Sequence, residues 1–281
     1  MRQVERIRST LSIFAISLSI LMSNAGGIQA ELARSSVRKV RFIQPPLISN
    51  ARNLAGRQRG AASRGSCPTV NPKLPLTAIV PATLIGETLP GVDPSLTTWQ
   101  SVGGLTSLPN PSLLFYVPDE LSKFTKEFVL QDESGKNIYK TSLTPSSTHS
   151  NVIQQGISPT AVTLKPGKVY QWFFVVNCAP DATPYVQGWI QRVTLNPSLK
   201  NQLRKATLPQ QADLYAANGI WYDALAALAE GRRANPQEAN LLSTWVSLLD
   251  SVGLAAIAYE PIYECCQPKA SNSNHSKPIA Q

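Results

Sequence analysis

Five acidic side chains between residues 119 and 133 are the groups in this sequence that could take part in hydrolysis. Glycoside hydrolysis needs two carboxyl groups facing each other at roughly 5 to 9.5 Å. These acids lie in short polar stretches between apolar runs, and their spacing along the chain places no two of them across a cleft. The sequence therefore favours a non-catalytic protein, with a hydrolase built on a carboxylate-based site as an alternative. The five acids are Asp119, Glu120, Glu127, Asp132 and Glu133.

The serine, histidine and glycine residues show no arrangement for nucleophilic catalysis or nucleotide binding. The motif Gly-x-Ser-x-Gly is absent, and no glycine-rich phosphate loop follows an apolar run. His149 lies in the polar stretch 146–150, which is typical of a solvated loop, and His275 lies in a polar tail. We expect no enzymatic activity and no cofactor.

The four cysteines favour disulfide bonds over metal or redox chemistry. They are Cys67, Cys178, Cys265 and Cys266, and none belongs to a Cys-x-x-Cys motif. A bridge between the adjacent Cys265 and Cys266 would close a small strained ring, so each of these two should pair elsewhere or stay free. We predict no metal site; an acidic metal site in the turn 132–135 is the alternative.

The first 66 residues carry the charge of the chain and predict export. Residues 1–30 combine a basic head, an apolar run at 11–22 and small residues where a signal peptidase could cut, which is typical of a signal peptide. That run is too short for the roughly 20 residues that span a bilayer, so we predict no integral span in the mature chain; an uncleaved anchor is the alternative. We expect a periplasmic, envelope or extracellular protein.

The excess of Lys and Arg over Asp and Glu does not indicate nucleic-acid binding. Residues 1–66 hold eleven Lys and Arg and two Glu, which equals the net charge of +9, so the rest of the chain is neutral. The Ser, Gly, Asn and Pro content of residues 31–66 favours a solvated, disordered basic linker. Binding of this segment to an anionic surface is the alternative.

Residues 67–195 read as a β-domain that positions the acids. Short apolar runs alternate with Gly, Pro, Asn and Ser, and a long polar excursion at 84–111 should contain at most one short strand. The stretch 164–172 (LKPGKVYQW) resembles the tyrosine corner of immunoglobulin-like sandwiches, with Tyr170 bonding to upstream backbone. In such a sandwich Cys67 and Cys178 lie at the same pole, which suggests a bridge between them.

Residues 196–264 change to a helical period and should form a small cap packed on the sandwich. Asn196-Pro197 predicts a helix start, Thr207 with Gln210 predicts a capping box, and Asn218-Gly219 predicts a tight turn. The spacing of Tyr215, Gly219, Ala224 and Pro236 resembles the tetratricopeptide repeat, although one and a half repeats are too few to stand alone. The tail 265–281 should be disordered. The predicted fold class is α+β, an immunoglobulin-like antiparallel sandwich followed by helix hairpins.

A few aromatic and basic side chains are candidates for binding. Trp99, in the excursion, is predicted to be exposed, and Trp189, on a strand with polar neighbours, to be half-exposed. Trp172, Trp221 and Trp245 lie on apolar faces and are predicted to be core. The outer residues of the second hairpin helix should be free to meet a partner; they are Tyr222, Asp223, Arg232 and Arg233.

Six stretches between residues 67 and 225 together resemble one family. They are residues 67–68, 76–81, 115–118, 127–133, 186–192 and 218–225. In these stretches the chain is similar to the domain of unknown function 928 family, known mainly from exported cyanobacterial proteins. The resemblance implies export and a domain running from residue 67 to about 261, and it brings no known activity. Residues 91–108 are longer than the family pattern, which predicts a local insertion.

The functional expectation is an exported binding or envelope-organising module. Protein or peptide binding by the helices is the first hypothesis, and its mark would be an uncovered apolar groove beside Trp221 and Tyr222. Carbohydrate binding by coplanar exposed aromatic residues, including Trp99 or Trp189, is the alternative. An envelope protein, cell-wall polysaccharide or an anionic surface would be the partner.

Overall fold

The computed structural model describes residues 39–46, 54–60, 67–86, 98–144, 151–179 and 183–264. Within these ranges the chain is a mixed α+β structure with two β-sheets and a C-terminal helical region. No helix of the described part is long and apolar enough to cross a membrane. The predictions for the signal peptide, His149, His275, Cys265, Cys266 and the tail concern residues outside these ranges.

The larger sheet has six strands in the order β2-β3-β9-β8-β5-β6. Only β3 and β9 run parallel among its neighbouring strands; the other pairs are antiparallel. Its strands are β2 (Ala82–Gly86), β3 (Thr98–Thr106), β5 (Thr125–Gln131), β6 (Asn137–Leu143), β8 (Val169–Asn177) and β9 (Tyr185–Arg192).

The smaller sheet has four strands in the order β1-β4-β7-β10. In this sheet β1 and β7 each pair with β4 in antiparallel orientation. At the edge of the sheet, β10 pairs with β7 in parallel orientation. The strands are β1 (Thr77–Ala78), β4 (Ser112–Val117), β7 (Asn151–Gly156) and β10 (Ile262–Glu264). A short helix, α1 (Asp119–Ser122), leads from β4 into β5.

Aromatic residues hold the two sheets against each other. Phe115 of β4 stacks on Phe174 of β8 with ring centroids 4.1 Å apart, and Trp172 meets the same ring edge-on at 5.6 Å. These rings are fully buried, and burying each contributes a few kcal/mol through apolar surface removed from water. Cys67 and Cys178 form a disulfide with Cα atoms 5.3 Å apart, as the sequence suggested.

Strand β3 corrects the prediction that residues 84–111 form a surface excursion with at most one short strand. Gly103 and Gly104 give this stretch a loop-like composition, but both are needed inside the sheet. A Cβ atom on Gly103 would lie 2.4 Å from Trp189, and one on Gly104 would lie 2.9 Å from Trp221. The side chain of Trp189 from β9 therefore fills the space above Gly103, and that of Trp221 from a helix fills the space above Gly104.

Four helices follow β9, and local signals set their ends. The Asn196 side chain accepts a hydrogen bond from the Leu199 backbone N–H at 2.8 Å, and the Gln210 side chain accepts one from the Thr207 N–H at 2.9 Å. Gly219 adopts a φ of +73°, the left-handed conformation that turns the chain between helices. The helices are α2 (Pro197–Leu203), α3 (Leu208–Ala217), α4 (Trp221–Ala234) and α5 (Ala239–Asp250). A 3₁₀ turn (Ala255–Ile257) follows.

The fourth of these helices does not start directly at Pro236. Its first residue is Ala239, because residues after Pro236 first make a turn in which the Glu238 N–H donates to the Asn235 carbonyl at 3.1 Å. Leu241, Trp245 and Leu248 form the buried face of this helix.

Two parts of the predicted basic linker are folded onto the domain. Residues 39–46, here called the strap, lie on the helices: the Ile43 N–H donates to the Ala216 carbonyl at 3.0 Å, and the Phe42 ring meets Trp221 edge-on at 5.0 Å. Residues 54–60, here called the wedge, bridge both sheets, since Arg57 pairs with Gln187 of β9 and Arg59 with Thr77 of β1. The prediction of a solvated linker is wrong for both segments.

Candidate functional site

The β5–β6 turn is a rigid platform at one end of the larger sheet. Asp132 Oδ1 accepts hydrogen bonds from the Ser134 N–H at 2.9 Å, the Ser134 hydroxyl at 2.6 Å and the Lys136 N–H at 3.1 Å. Gly135 has a φ of +80°, the left-handed conformation that a tight turn between two strands often requires. The turn therefore holds its shape through its own hydrogen bonds.

Glu133 ties this turn to the loop that precedes β8. One carboxylate oxygen lies 2.8 Å from Lys168 Nζ, and the other accepts a hydrogen bond from the Val169 N–H at 3.3 Å. The hydrogen bond from Lys168 lowers the pKa of Glu133, and that from the Ser134 hydroxyl lowers the pKa of Asp132. Both carboxyl groups are therefore ionised at neutral pH.

The facing loop, residues 162–168, is fixed by the tyrosine that the sequence singled out. The Tyr170 hydroxyl accepts a hydrogen bond from the Lys165 N–H at 3.0 Å. From the other side, Arg192 Nη1 donates to the Leu164 carbonyl at 2.8 Å and the Gly167 N–H donates to the Arg192 carbonyl at 2.8 Å. Arg192 thus positions this loop.

Two hollows flank the turn, of about 430 and 550 Å³. We call them together the turn groove. Val162 and Ile138 are half-buried and form apolar walls of the first hollow, while Lys165 and Lys168 stand exposed at its rim opposite the turn acids. Leu54 of the wedge lines the second hollow beside Gln171. The residues lining either hollow are Leu54, Asp132, Glu133, Ser134, Gly135, Ile138, Val162, Thr163, Lys165, Lys168, Val169, Tyr170 and Gln171.

The groove suits non-covalent binding of a ligand. Apolar walls with a few charged groups at the rim match the usual composition of ligand sites. Its two acids are neighbours in one turn and both are ionised, so neither is poised as a proton donor. In the described part of the chain no three His, Cys, Asp or Glu side chains come together as a metal site would require.

Two residues that were predicted to be accessible for binding, Trp189 and Tyr222, are buried. Trp189 is 3% exposed and its indole Nε1 donates to the Ser101 hydroxyl at 3.0 Å, so it is a core residue and not half-exposed. Tyr222 is 2% exposed because the first turn of α4 docks on the larger sheet. Its hydroxyl accepts from Trp172 Nε1 and donates to the Trp189 carbonyl, each at 2.9 Å.

Asp223 is likewise inside, although it was expected on the outer face of α4. Its carboxylate accepts hydrogen bonds from the Thr106 hydroxyl at 2.5 Å and from the N–H of Ser107 at 2.9 Å, and also from the Ser107 hydroxyl. Burial raises the pKa of Asp223. This cluster fastens the end of β3 to α4. No sequence pattern indicated it, since its members are more than 100 positions apart.

The remaining predicted site residues lie on separate elements. Trp99 is 39% exposed on β3, in agreement with the prediction of an exposed indole. Arg232 and Arg233 are half-buried in the last turn of α4, and the Arg232 guanidinium stacks 5.2 Å from the Trp245 ring centroid. None of these predicted binding residues lines the turn groove.

Sequence reasoning found the turn groove only in pieces. Residues 132–135 were assigned to a hairpin turn and residues 164–170 to a tyrosine corner, both for structural reasons. The two lysines on either side of Pro166-Gly167 are the sequence feature that could have pointed to the groove. Exposed cations beside a tight turn face the loop that packs against that turn. Their partner loop lies more than 30 positions away in sequence.

Comparison with known families covers most of the chain. The family model described as Domain of Unknown Function (DUF928) matches residues 59–262. No curated protein matches the sequence.

Proposed function

The chain belongs to the DUF928 family, whose description assigns no activity, and we propose that it is an exported, non-catalytic binding protein whose turn groove holds a protein or peptide segment. The observation that carries this proposal is the composition of the groove. Val162 and Ile138 offer apolar contacts, and Lys165 and Lys168 stand across from the ionised Asp132 and Glu133. A peptide in extended conformation supplies side chains for both kinds of contact.

The ionisation of the turn acids supports the non-catalytic part of the proposal. A carboxylate-based hydrolase needs one carboxyl group that keeps its proton at working pH. Hydrogen bonds lower the pKa of both Asp132 and Glu133, which is the opposite shift. A hydrolase is therefore the less supported alternative.

The disulfide supports export. Cys67 and Cys178 are 111 positions apart in sequence and pair within the domain, and such bonds persist mainly in oxidising compartments. The signal-like composition of residues 1–30 points in the same direction. The proposed location is the periplasm, the envelope or the extracellular space. A role in organising the envelope fits this location.

The immunoglobulin-like description of the sandwich belongs to this proposal as well. It is supported by two facing sheets, the antiparallel pairing of β6, β5, β8 and β9, and the Tyr170 hydrogen bond at the start of β8. The α3–α4 hairpin with its left-handed Gly219 supports the likeness to one tetratricopeptide hairpin.

We place the binding site in the sandwich because the helical alternative is already occupied. The expected mark of helix-mediated binding was an open groove beside Trp221 and Tyr222, but Trp221 is fully buried and the strap lies over it through Phe42. Carbohydrate binding by coplanar aromatic side chains also has less support. Of the two candidates, Trp99 is exposed and Trp189 is buried.

Selection from a random peptide display library tests the proposal. We expect peptides enriched on the wild-type chain to lose binding to a Val162→Asp variant, because a charge replaces an apolar wall of the groove. Tyr259→Asp is the matched control: Tyr259 is 73% exposed and lies outside the groove, so this variant should keep the same peptides. Enrichment of no peptide, or equal binding by wild type and Val162→Asp, would refute the proposal.

A further inference from the structure

The strap lies on the helical region as a segment with alternating buried and exposed side chains. Val40 and Phe42 are 4% and 8% exposed, while Lys39, Arg41 and Ile43 are exposed. Alternation of this kind is typical of an extended chain. Within the described residues the strap pairs with no strand of either sheet. Two apolar side chains at alternate positions therefore anchor it on the helices.

Two serines at the C-terminal end of α5 bind the strap backbone. The Ser247 hydroxyl donates to the Val40 carbonyl at 3.0 Å, and the Phe42 N–H donates to the Ser251 hydroxyl at 3.3 Å. The Ser251 hydroxyl in turn donates to the Leu248 carbonyl at 2.7 Å, which orients it as an acceptor. Main-chain hydrogen bonds combined with pockets for alternate side chains are a usual way to recognise an extended peptide.

The turn between α3 and α4 contacts the other end of the strap. The Ile43 N–H donates to the Ala216 carbonyl at 3.0 Å. A Cβ atom on Gly219 would lie 2.9 Å from Pro45 Cδ and 3.2 Å from the Ile43 carbonyl oxygen. The missing side chain at Gly219 therefore makes room for the strap, in addition to allowing the left-handed turn.

An aromatic contact lies between these two sets of hydrogen bonds. The Phe42 ring meets the Trp221 ring edge-on, with centroids 5.0 Å apart, a geometry that only an aromatic side chain provides. An occupant of this surface therefore needs an aliphatic residue, an aromatic residue two positions later and a proline three positions after that, as Val40, Phe42 and Pro45 supply. We call the surface the helix groove; it consists of Ala216, Gly219, Trp221, Ser247 and Ser251.

The helix groove and the strap differ in their relation to the family match. The match covers residues 59–262, so it includes every residue of the helix groove, whereas the strap ends at residue 46, before the match begins. The groove thus belongs to the family domain, and a segment outside that domain fills it.

We propose that the helix groove is a docking site for an extended peptide segment of this pattern, that the strap closes it in the resting chain, and that a partner segment of the same pattern competes with the strap. Because the strap and the groove share one chain, the effective concentration of the strap is on the order of millimolar. A partner therefore binds in proportion to the fraction of molecules whose groove is open. This site is separate from the turn groove and does not depend on the function proposed for it.

Binding of a synthetic peptide to full-chain variants tests whether the groove accepts a segment from outside. The probe is a fluorescein-labelled peptide with the sequence of residues 38–46, RKVRFIQPP. The double variant Val40→Ser/Phe42→Ala weakens the internal strap and should bind the peptide at least roughly tenfold more tightly than wild type does. Lys39→Gln/Arg41→Gln changes two exposed strap residues and should bind as weakly as wild type. Equal affinity of these two variants would overturn the proposal.

Further substitutions in the Val40→Ser/Phe42→Ala chain locate the bound peptide. Ser247→Glu places a carboxylate beside the position of the Val40 carbonyl and should abolish binding, whereas Val162→Asp in the turn groove should leave it unchanged. The peptide that carries Phe42→Ala should not bind. Binding that survives Ser247→Glu but is lost in Val162→Asp would refute docking in the helix groove and leave the function proposed for the turn groove intact.

Hydrogen exchange of the wild-type chain tests displacement of the strap without any substitution. Unlabelled peptide at millimolar concentration should raise the deuterium uptake of residues 39–46, because the competing segment releases the Phe42 and Ile43 N–H groups. The Phe42→Ala peptide should not raise it. Unchanged uptake would overturn the proposal whatever the variants show. Near-ultraviolet circular dichroism is the folding check for each variant, and the exchange measurement decides alone if Val40→Ser/Phe42→Ala does not fold.

Discussion

Trp172 and Tyr222 join the larger sheet to the helices through one buried hydrogen bond, in which the indole Nε1 of Trp172 donates to the Tyr222 hydroxyl at 2.9 Å. The same hydroxyl donates to the Trp189 carbonyl at 2.9 Å. All three side chains are buried, so water has little access to replace these bonds. Where α4 docks on the sheet, one phenolic oxygen therefore serves as acceptor and donor at once.

Replacing Tyr222 with Phe should lower the free energy of unfolding by about 1 to 3 kcal/mol, because the Trp172 N–H and the Trp189 carbonyl lose a partner in a buried environment. Chemical denaturation monitored by fluorescence measures the change. Tyr259→Phe removes a hydroxyl from a side chain that is 73% exposed and should leave stability within about 0.5 kcal/mol. Equal stability of Tyr222→Phe and wild type would contradict the role given to this hydroxyl.

Asp223 should make stability fall with rising pH. Burial raises the pKa of this carboxyl above its ordinary 3.8, so the native state binds the proton more tightly than the unfolded chain does. As pH rises above that ordinary value, the unfolded chain releases its proton first, and the contribution of Asp223 to the free energy of unfolding decreases until the native carboxyl also ionises.

The comparison with Asp223→Asn isolates this group from the other carboxylates. Urea unfolding at a series of pH values measures the free energy of unfolding of both proteins. The difference, wild type minus Asp223→Asn, should decrease from about pH 4 upward. A difference that stays constant or grows with pH would show that the Asp223 pKa is not raised in the native state.

The strap should contribute to stability as a core element does. Phe42 is 8% exposed and contacts Trp221, so Phe42→Ala should lower the free energy of unfolding by about 3 to 5 kcal/mol and speed proteolysis around residues 39–46. Ile43→Ala changes the next residue, which is 57% exposed, and should alter stability by no more than about 0.5 kcal/mol. If both variants matched wild type, the strap would behave as the solvated linker that composition suggests.

Lys126 is a buried cation whose replacement should stabilise the fold. It is 2% exposed, its ammonium group donates to the Ser122 carbonyl, and burial lowers its pKa to about 8. The unfolded chain holds the proton up to about pH 10.5, so wild-type stability should rise with pH between about 8 and 10.5.

Lys126→Met should therefore raise the free energy of unfolding at pH 7 by up to about 3 kcal/mol, and this advantage should shrink above pH 8. Thermal or urea unfolding at several pH values measures both effects. Lys136→Met, at an exposed position of the β5–β6 turn, is the control and should show neither. A Lys126→Met protein that is less stable than wild type at pH 7 would contradict the expectation.

The Cys67–Cys178 disulfide should stabilise the domain by about 2 to 5 kcal/mol, because it closes a long loop in the unfolded chain. The double variant Cys67→Ser/Cys178→Ser should lose that amount in denaturant unfolding under non-reducing conditions. Peptide mapping of the oxidised protein should recover residues 67 and 178 in one cross-linked pair. Recovery of either cysteine bound to Cys265 or Cys266 would refute the pairing.

Short-range features were predictable from sequence because the groups involved lie within a few positions of one another. The Asn196 cap, the Thr207–Gln210 pair and the left-handed Gly219 follow from local hydrogen bonding and backbone freedom. The hydrogen bond from Lys165 to Tyr170 spans five residues and was also anticipated. For the site, the same reasoning identified the β5–β6 turn and the tyrosine corner, but not that they face each other.

The local structure, the family and the concentration of positive charge before residue 67 could therefore be predicted from the amino-acid sequence alone. Which of the ambiguous residues are buried depends on how distant segments pack. Gly103 and Gly104 look like loop residues until Trp189 and Trp221 fill the space above them, and Tyr222 and Asp223 look like surface residues until α4 meets the sheet. The physical reason is that burial of a polar or small residue depends on partners from distant segments, and one sequence read along its length does not show which segments meet.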